Sequence, residues 1–287
     1  MGEIISGKLL AKKIKEEMKL DIERYNKLYG RAPHLVVILV GDDEASKSYV
    51  KGKEKASLEI GVTNTTIIMD SNTTEEELLK LIDELNNDDL VDGILVQLPL
   101  PKHIDQTRVI TRISYDKDVD GFHPLNVSAL YERRFGVIPC TPRGIMEILE
   151  SKKIEISGKR VCVVGRSSIV GMPVAKLLLD ANATVTICHS KTKNLGEMTK
   201  EADILVVAIG KPKYIKADMV KDGAIVIDVG VNKDPLTGKL CGDVDFDNVE
   251  PKASYITKVP GGVGPMTICC LLENTLNLYL KHMERKD

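Results

Sequence analysis

The sequence predicts an α/β protein of two α/β domains, the second a doubly wound parallel sheet, with a cleft between the domains. Two observations support this prediction. Short β-branched runs alternate with amphipathic segments through both halves of the chain, and a glycine-containing turn joins a strand to a helix near residue 165. The 287 residues, 43% of them hydrophobic, are enough to bury the cores of two domains.

The first half of the chain alternates helices with strands. Its predicted elements are a helix near 7–29, strand Leu35–Val40, a helix near 45–60, a strand at 65–69, a helix at 74–86 and strand Gly93–Gln97. The run Thr73-Thr-Glu-Glu-Glu marks the start of the helix at 74, because a threonine cap and first-turn acids both stabilise a helix N-terminus.

The second half repeats the alternation after a break that Pro139 and Pro142 bracket. Its predicted elements are a helix at 143–151, strand Lys159–Val164, helix Val174–Asn182, strand Thr184–Cys188, a helix near 194–201, strand Ile204–Ala208, a short helix near 216–221 and strand Ala224–Val229. A last helix, Met266–Met283, is expected to return and pack on the first domain.

The turn Gly165-Arg-Ser-Ser-Ile-Val-Gly-Met-Pro173 predicts a nucleotide phosphate site. Gly165 and Gly171 let the backbone approach a ligand closely, and the amides that open the following helix point at an anion. Ser167 stands where a regular G-x-G-x-x-G has its second glycine, and the last glycine comes one residue late. A plain strand-to-helix turn is the alternative.

The tip of the next predicted strand favours NADP over NAD. Folds that bind NAD place a carboxylate about 20 residues after the glycine turn, where it meets the ribose hydroxyls. Here the strand ends in His189, Ser190 and Lys191 instead. With Arg166 from the first loop, these side chains suit a ribose 2′-phosphate. An ordinary loop is the alternative for His189 and Ser190.

Composition excludes several classes of protein. The formal net charge is −2, from 40 basic and 42 acidic residues without a long basic block, so nothing indicates nucleic-acid binding. The six cysteines have no metal-ligand spacing and are expected to be reduced thiols, which favours a cytoplasmic protein. Neither a membrane span, a metal site nor a signal peptide is predicted.

Lys53 is the odd charge on the predicted helix 45–60. At about 100° per residue, it falls on one face with Ala45, Tyr49, Ala56 and Ile60, so that face should be buried. Burial would lower the pKa of Lys53 and let it exchange a proton near neutral pH. A lysine can also extend its amine out of an apolar face into water.

Gln97 and Asp120 lie at or just after the carboxyl ends of predicted strands, where open α/β sheets build their sites. Gln97 is followed by Leu98-Pro-Leu-Pro101, which would fix its amide in place. Asp120 belongs to Asp116-Lys-Asp-Val-Asp-Gly121, which alone would be read as a polar turn.

Together these segments resemble the methylenetetrahydrofolate dehydrogenase/methenyltetrahydrofolate cyclohydrolase (FolD) family over nearly the whole chain. The motifs that carry the resemblance are Ser48–Ala56, Val96–Pro101, Lys117–Gly121, Cys140–Pro142, Gly165–Pro173, Gly242–Phe246 and Pro260–Thr267. The resemblance implies a folate-binding catalytic domain at 1–138, with helix 266–287 packed back on it, and a Rossmann-like NADP-binding domain at 139–265. It also suggests a homodimer.

The resemblance also implies roles for particular residues. Lys53 would be the catalytic lysine, with Tyr49, Gln97 and Asp120 as its catalytic partners. The expected folate-binding residues are Tyr49, Val50, Lys51, Gly52, Lys53, Val96, Gln97, Leu98, Asp120, Pro260, Gly261, Gly262, Val263 and Gly264. The expected NADP-binding residues are Thr141, Gly165, Arg166, Ser167, Ile169, Val170, His189, Ser190 and Val231.

The implied function is NADP-dependent oxidation of 5,10-methylenetetrahydrofolate, followed by hydrolysis of the methenyl product to 10-formyltetrahydrofolate. Lys53, with a lowered pKa and a hydrogen bond from Gln97, would activate water. Two alternatives stay open. One is a dehydrogenase that lacks the hydrolase or prefers NAD, and the other is a non-catalytic nucleotide-binding protein, since a fold alone does not define a function.

Overall fold

A computed structural model describes residues 2–285 of the chain. Its helices and strands in the first half are β1 (Glu3–Ile5), α1 (Gly7–Tyr29), β2 (His34–Val40), α2 (Glu44–Ile60), β3 (Thr63–Met69), α3 (Glu75–Asn86), β4 (Gly93–Val96), α4 (Gln106–Arg112) and α5 (Pro124–Tyr131). In the second half they are α6 (Cys140–Ser151), β5 (Arg160–Val164), α7 (Gly171–Asp180), β6 (Thr184–Cys188), α8 (Leu195–Lys200), β7 (Ile204–Val207), β8 (Ile225–Asp228), β9 (Asn232–Lys233), β10 (Leu240–Cys241), α9 (Phe246–Val249), β11 (Tyr255–Thr257) and α10 (Val263–Glu284).

The chain divides into two compact units. The first unit holds the residues up to Lys12 together with Thr141–Thr267, and the second holds Lys13–Cys140 together with the chain from Ile268 onward. Residues before Lys13 therefore group with the second half of the chain, because β1 pairs in parallel with β11. Helix 266–287 was expected on the first domain, and its last two residues lie outside the described part.

The first unit is built on a six-stranded parallel sheet in the order β1-β11-β8-β7-β5-β6. From β5 the chain passes to β6 on one side and then to β7 on the other. The gap between the carboxyl ends of β5 and β7 is therefore the topological switch point, where doubly wound sheets bind their ligands. The interior strand β7 is 0% exposed along its whole length, since helices cover both faces of such sheets.

The second unit has a three-stranded parallel sheet in the order β3-β2-β4. An isolated parallel bridge joins Ile94 of β4 to Asp118, and the Ile94 amide donates to the Lys117 carbonyl at 2.7 Å. The segment Lys117–Gly121 thus runs along β4 like a short fourth strand. Its position brings Asp118 and Asp120 to the edge where β4 ends.

Helix α2 begins and ends where its sequence dictates. Asp43 caps it by accepting the Ser46 amide at 2.8 Å, and Gly61 ends it in the left-handed conformation at φ 88°. Part of the buried face of α2 differs from the predicted one. Ala45 is exposed and Tyr49 is 44% exposed, so the prediction that these two residues are buried is wrong. Val50 is 3% exposed instead.

The true buried stripe of α2 runs through Ser46, Val50, Ser57 and Ile60, and Lys53 falls on it at helical spacing. The prediction that Lys53 lies among buried residues is confirmed, and two of its predicted neighbours, Ala56 and Ile60, are buried as expected.

Three other predicted helices differ from the structure in their bounds or type. Helix α6 begins at Cys140 and contains Pro142 in its first turn, where the missing amide costs little, so the break expected at 139–142 is a helix start. Helix α7 begins at Gly171, earlier than predicted. The short helix expected near 216–221 is a 3-10 turn at Ala217–Met219.

The C-terminal part of α10 packs within the second unit through polar anchors. The Tyr279 hydroxyl donates to the Arg31 carbonyl at 2.8 Å, and the Tyr279 side chain is fully buried. Arg31 forms a bidentate pair with Asp92 at 2.6 and 2.8 Å, and Asp92 also contacts His282 of α10 at 3.2 Å. Among residues 2–285, no helix is long and apolar enough to cross a membrane.

The Arg31–Asp92 pair should contribute strongly to stability. Asp92 is 0% exposed, so Arg31→Met would leave a buried carboxylate without its main counter-charge. We expect the free energy of unfolding to fall by about 3 kcal/mol. Urea unfolding followed by circular dichroism measures it, since the chain has no tryptophan.

Arg24→Met is the matched control, because that side chain is 67% exposed on α1. It should change the free energy of unfolding by less than about 0.5 kcal/mol. Equal stability of the Arg31→Met variant and the wild type would contradict the assigned role.

Candidate active site

The loop that follows Lys117 is folded around a buried carboxylate. Asp118 is 3% exposed, and it accepts the amides of Gly121 at 3.0 Å and His123 at 2.8 Å. Gly121 has φ 74°, and a side chain there would lie 2.7 Å from the Val137 carbonyl oxygen. Asp118 and Gly121 therefore set the path of the backbone that carries Asp120.

Lys53 and Gln97 meet at the carboxyl edge of the three-stranded sheet. The Lys53 Nζ donates to the Gln97 Oε1 at 2.8 Å, and the Gln97 Nε2 donates to the Leu98 carbonyl at 2.7 Å. Because a carbonyl can only accept, the second bond fixes which end of the amide faces the lysine. The expected direction of the bond was wrong, since Gln97 accepts it and does not donate it.

Burial and two neighbouring residues, Asp120 and Cys140, determine how readily Lys53 loses its proton. Burial lowers the pKa of Lys53 from its ordinary 10.5, and the nearby Asp120 carboxylate, with a smaller electrostatic contribution from Cys140, opposes that shift without cancelling it. Burial likewise raises the pKa of Asp120 to about 6, against the opposing effect of the Lys53 cation. Near neutral pH Asp120 is thus mostly ionised, and Lys53 loses its proton more readily than a lysine in water.

Cys140 and Asn274 complete this cluster and were not singled out from the sequence. The Cys140 Sγ lies 3.9 Å from the Asp120 Oδ1 and 3.4 Å from the Val119 carbonyl. The Asn274 Nδ2 donates to the Val119 carbonyl at 2.9 Å and to the Ile138 carbonyl at 3.0 Å. A buried asparagine on α10 thereby ties the backbone beside Asp120 to the backbone before Cys140.

The other residues expected around Lys53 differ in exposure. Tyr49 lies one turn before Lys53 and presents a half-exposed ring, which suits contact with a bound ring system. The side chains of Val50 and Val96 are buried and support the site from within the core. The remaining expected residues of this group are Lys51, which is exposed, and Gly52 and Leu98, which are half-buried.

The nucleotide-type turn in the first unit is closed by backbone contacts that only glycine allows. A Cβ at Gly165 would lie 2.3 Å from the Ala208 carbonyl oxygen, and a Cβ at Gly171 would lie 2.3 Å from the Gly165 carbonyl oxygen. Ser167 uses its hydroxyl to accept the amides of Val170 at 3.2 Å and Gly171 at 3.3 Å. A serine side chain that binds amides of its own loop therefore stands where the regular motif has its second glycine.

The side chains expected to meet a 2′-phosphate sit on adjacent strands. Val164 pairs with Cys188, so Arg166 and Ser190 each follow the carboxyl end of a neighbouring strand, and both are exposed. His189 shapes its own turn, because its Nδ1 accepts the Lys191 amide at 3.1 Å. Of the other expected residues, Ile169 is half-buried and Val231 is 47% exposed.

The remaining expected residues lie elsewhere in the first unit. The Thr141 hydroxyl is 3.0 Å from the Thr267 hydroxyl, which places Thr141 beside the start of α10. The loop 260–264 follows a cis peptide at Val259–Pro260, and its Gly261 has φ 108°. The Gly261 carbonyl accepts the Lys8 amide at 3.0 Å, so the loop is anchored to the start of α1.

Fold and side chains together define an α/β protein that combines a dinucleotide-type turn in one unit with an enclosed lysine–carboxylate cluster in the other. The chain belongs to the tetrahydrofolate dehydrogenase/cyclohydrolase family. The family model for the catalytic domain matches residues 5–120, and the one for the NAD(P)-binding domain matches residues 139–283.

Individual relatives agree with this membership. The bifunctional protein FolD of Listeria innocua is 56% identical over 96% of both chains. The crystal structure of bifunctional FolD from Campylobacter jejuni is 49% identical, covers 98% of this chain and 99% of its own, and superposes with a TM-score of 0.95. The Trypanosoma brucei enzyme, solved with NADP cofactor and inhibitor, is 40% identical with 98% of each chain covered and a TM-score of 0.94.

Proposed function

We propose that the protein is a bifunctional one-carbon folate enzyme. It oxidises 5,10-methylenetetrahydrofolate to the 5,10-methenyl form with NADP, and it then hydrolyses that product to 10-formyltetrahydrofolate. The observation that carries the proposal is the bond from Lys53 to Gln97 within the family's fold, because it holds an amine of lowered pKa in place, where it can transfer protons. Similarity to bifunctional relatives over nearly the whole chain supports it.

The first unit suits NADP by the chemistry of its donors. Exposed Arg166, Ser190 and Lys191 supply two cations and a hydroxyl at the carboxyl edge, without a carboxylate to repel a 2′-phosphate. The close backbone packing at Gly165 keeps the turn free of side chains where a pyrophosphate would approach. When bound, NADP supplies the hydride acceptor, and the protein's part is to hold the turn and the folate in place.

The second unit suits the folate. Asp120, mostly ionised near neutral pH, can accept hydrogen bonds from the amino-pyrimidine part of a pterin ring. Tyr49 can stack on the ring from the exposed side of α2. The backbone around Asp120 is fixed by Asp118 and Asn274, so the carboxylate is oriented before the substrate arrives.

Lys53 provides the hydrolytic step. A neutral amine has two N–H donors and one lone pair, and the bond to the Gln97 Oε1 occupies one donor. The lone pair is then available to take a proton from a water that attacks the cationic methenyl bridge. The resulting ammonium can return that proton to the ring nitrogen whose bond to the one-carbon unit breaks, while the hydroxyl proton of the intermediate passes to water as the formyl group forms. A neutral lysine also avoids repelling the positive bridge, and the lowered pKa keeps that form accessible.

Two alternatives are less well supported. A dehydrogenase without the hydrolase would not require Lys53, Gln97, Asp120 and Tyr49 in one cluster. An NAD-preferring enzyme would be expected to carry an acid, not Ser190 and Lys191, at the end of β6. A non-catalytic nucleotide-binding protein would have no need of the bond between Lys53 and Gln97.

The expected partners are reduced folates alone. The nearly balanced charge argues against nucleic acid. The six cysteines, all within residues 2–285, form no disulfide with one another, which is in keeping with a reducing cytoplasm. We also propose a homodimer, on the strength of the resemblance, and light scattering of the purified protein would test it.

Lys53→Met tests the hydrolytic role. Methionine keeps the apolar stem but removes the base, so the turnover of methenyltetrahydrofolate should fall by about 100-fold or more. The loss of methenyl absorbance follows this turnover directly. Lys55→Met is the control, because Lys55 is exposed on the same helix and should keep turnover within about twofold of wild type. Unchanged hydrolysis in the Lys53→Met variant would refute the assignment.

Arg166→Met tests the preference for NADP. Loss of a charge-assisted bond to the 2′-phosphate should raise KM for NADP about tenfold and leave KM for NAD nearly unchanged. Initial rates of methenyl formation measure both. Arg160→Met is the control, since Arg160 lies at the opposite end of β5 and pairs with Glu201. If KM rose equally for both cofactors, Arg166 would not read the 2′-phosphate.

A further inference from the structure

Asp243, from the motif Gly242-Asp-Val-Asp-Phe246, is a buried carboxylate with an unusual set of partners. It is 0% exposed. Its Oδ2 accepts the amides of Ile209 at 2.7 Å and Gly210 at 3.0 Å, and its Oδ1 accepts the Lys211 amide at 2.7 Å. Three successive amides of the loop after β7 thus converge on one side chain, which fixes the shape of that loop.

The same carboxylate reaches the loop after β8. Its Oδ1 also accepts the Asn232 Nδ2 at 2.9 Å, next to Val231. A Cβ at Gly230 would lie 2.2 Å from the Asp243 carboxyl carbon, so only glycine lets this loop pass. Asp243 therefore holds together the loops that follow two adjacent strands of the six-stranded sheet.

A second buried acid, Asp228, holds Asp243 in place. The Asp228 carboxylate accepts the Asp243 amide at 2.9 Å and the Val244 amide at 2.9 Å. Burial raises the pKa of Asp228 to about 7, opposed by these amides and reinforced by the Asp243 charge. The whole arrangement lies beneath the carboxyl edge of the sheet.

The position of these loops indicates which half of the dinucleotide they would contact. Arg166 and Ser190 on the β6 side of β5 suit the 2′-phosphate of the adenosine half. The rest of the dinucleotide must then extend across the switch point, toward β7 and β8. The loop after β7 adjoins the phosphate turn directly, since the Ala208 amide donates to the Val164 carbonyl at 2.8 Å. The Asp243-bound loops therefore flank the nicotinamide half.

We propose that Asp243 is a positioning residue of the dinucleotide site, which fixes the loops at 209–211 and 230–232 so that they receive the nicotinamide half of NADP. This inference rests on the proposed NADP-dependent function. It assigns to the Gly242–Phe246 motif a role that neither the phosphate turn nor the lysine cluster explains.

Asp243→Asn tests the proposal. The amide nitrogen of asparagine would face one of the three loop amides, so the loop must move. We expect Kd for NADP, measured by calorimetry, to rise by about tenfold or more. Kd for adenosine 2′,5′-bisphosphate, which represents the adenosine half alone, should stay within about twofold of wild type. KM for NADP should rise while KM for the folate does not.

Asp245→Asn is the matched control. It removes the same charge two residues away, where the carboxylate contacts only side chains at Lys216 and Asn248, at 3.2 and 3.0 Å. Gly210→Val is a second variant that reshapes the loop from its exposed side, because Gly210 has φ 63° and open space around it. If the Asp243→Asn variant does not fold, the Gly210→Val variant tests whether the shape of the loop at 209–211 affects the binding of NADP.

The proposal is overturned if a folded variant binds NADP as tightly as wild type. It is also overturned if NADP and the bisphosphate lose affinity equally, since that outcome means general damage to the unit. Wild-type protein that fails to bind NADP at all would instead refute the proposed function, so the two failures are distinguishable.

Discussion

The enclosure of Lys53 is the constraint on which the second unit depends. A lysine drawn out of water tends to lose its proton, and a carboxylate beside it opposes that tendency. Here burial outweighs the Asp120 charge, so the pKa of Lys53 falls while that of Asp120 rises. The neighbouring elements serve this balance: α2 carries the lysine, β4 presents Gln97, and the bridged segment at Lys117–Gly121 carries the acid.

Most of the helices and strands, and the position of Lys53, could be predicted from the sequence, because the patterns that indicate them lie within short segments of the chain. Periodicity and caps located α1, α2, α3 and the strands β2 to β8 to within a few residues, but not β1 and β11. Lys53 was identified as a charge on an apolar face, although Ala45 and Tyr49 of that face are exposed in the structure. Helical periodicity alone therefore identified the lysine but predicted the burial of two of its neighbours wrongly.

Contacts between distant parts of the chain could not be predicted in this way. The three residues of β1 carry no pattern of their own and become a strand only by pairing with β11. Asn274 reads as an ordinary polar residue of a helix until its amide is seen to join the Val119 and Ile138 carbonyls. Asp243 likewise belongs to a short acidic motif whose partners lie more than thirty residues earlier, at Ile209, Gly210 and Lys211.

Titration of Lys53 itself tests the central claim most directly. The side-chain resonances of isotope-labelled lysine, assigned by comparison with the Lys53→Met variant, report its pKa across alkaline pH. The enclosure predicts a pKa below the ordinary 10.5, and a still lower one in the Asp120→Asn variant, because the carboxylate no longer stabilises the cation. A pKa at or above 10.5 in the wild type, or a rise on removal of the Asp120 charge, would contradict the account.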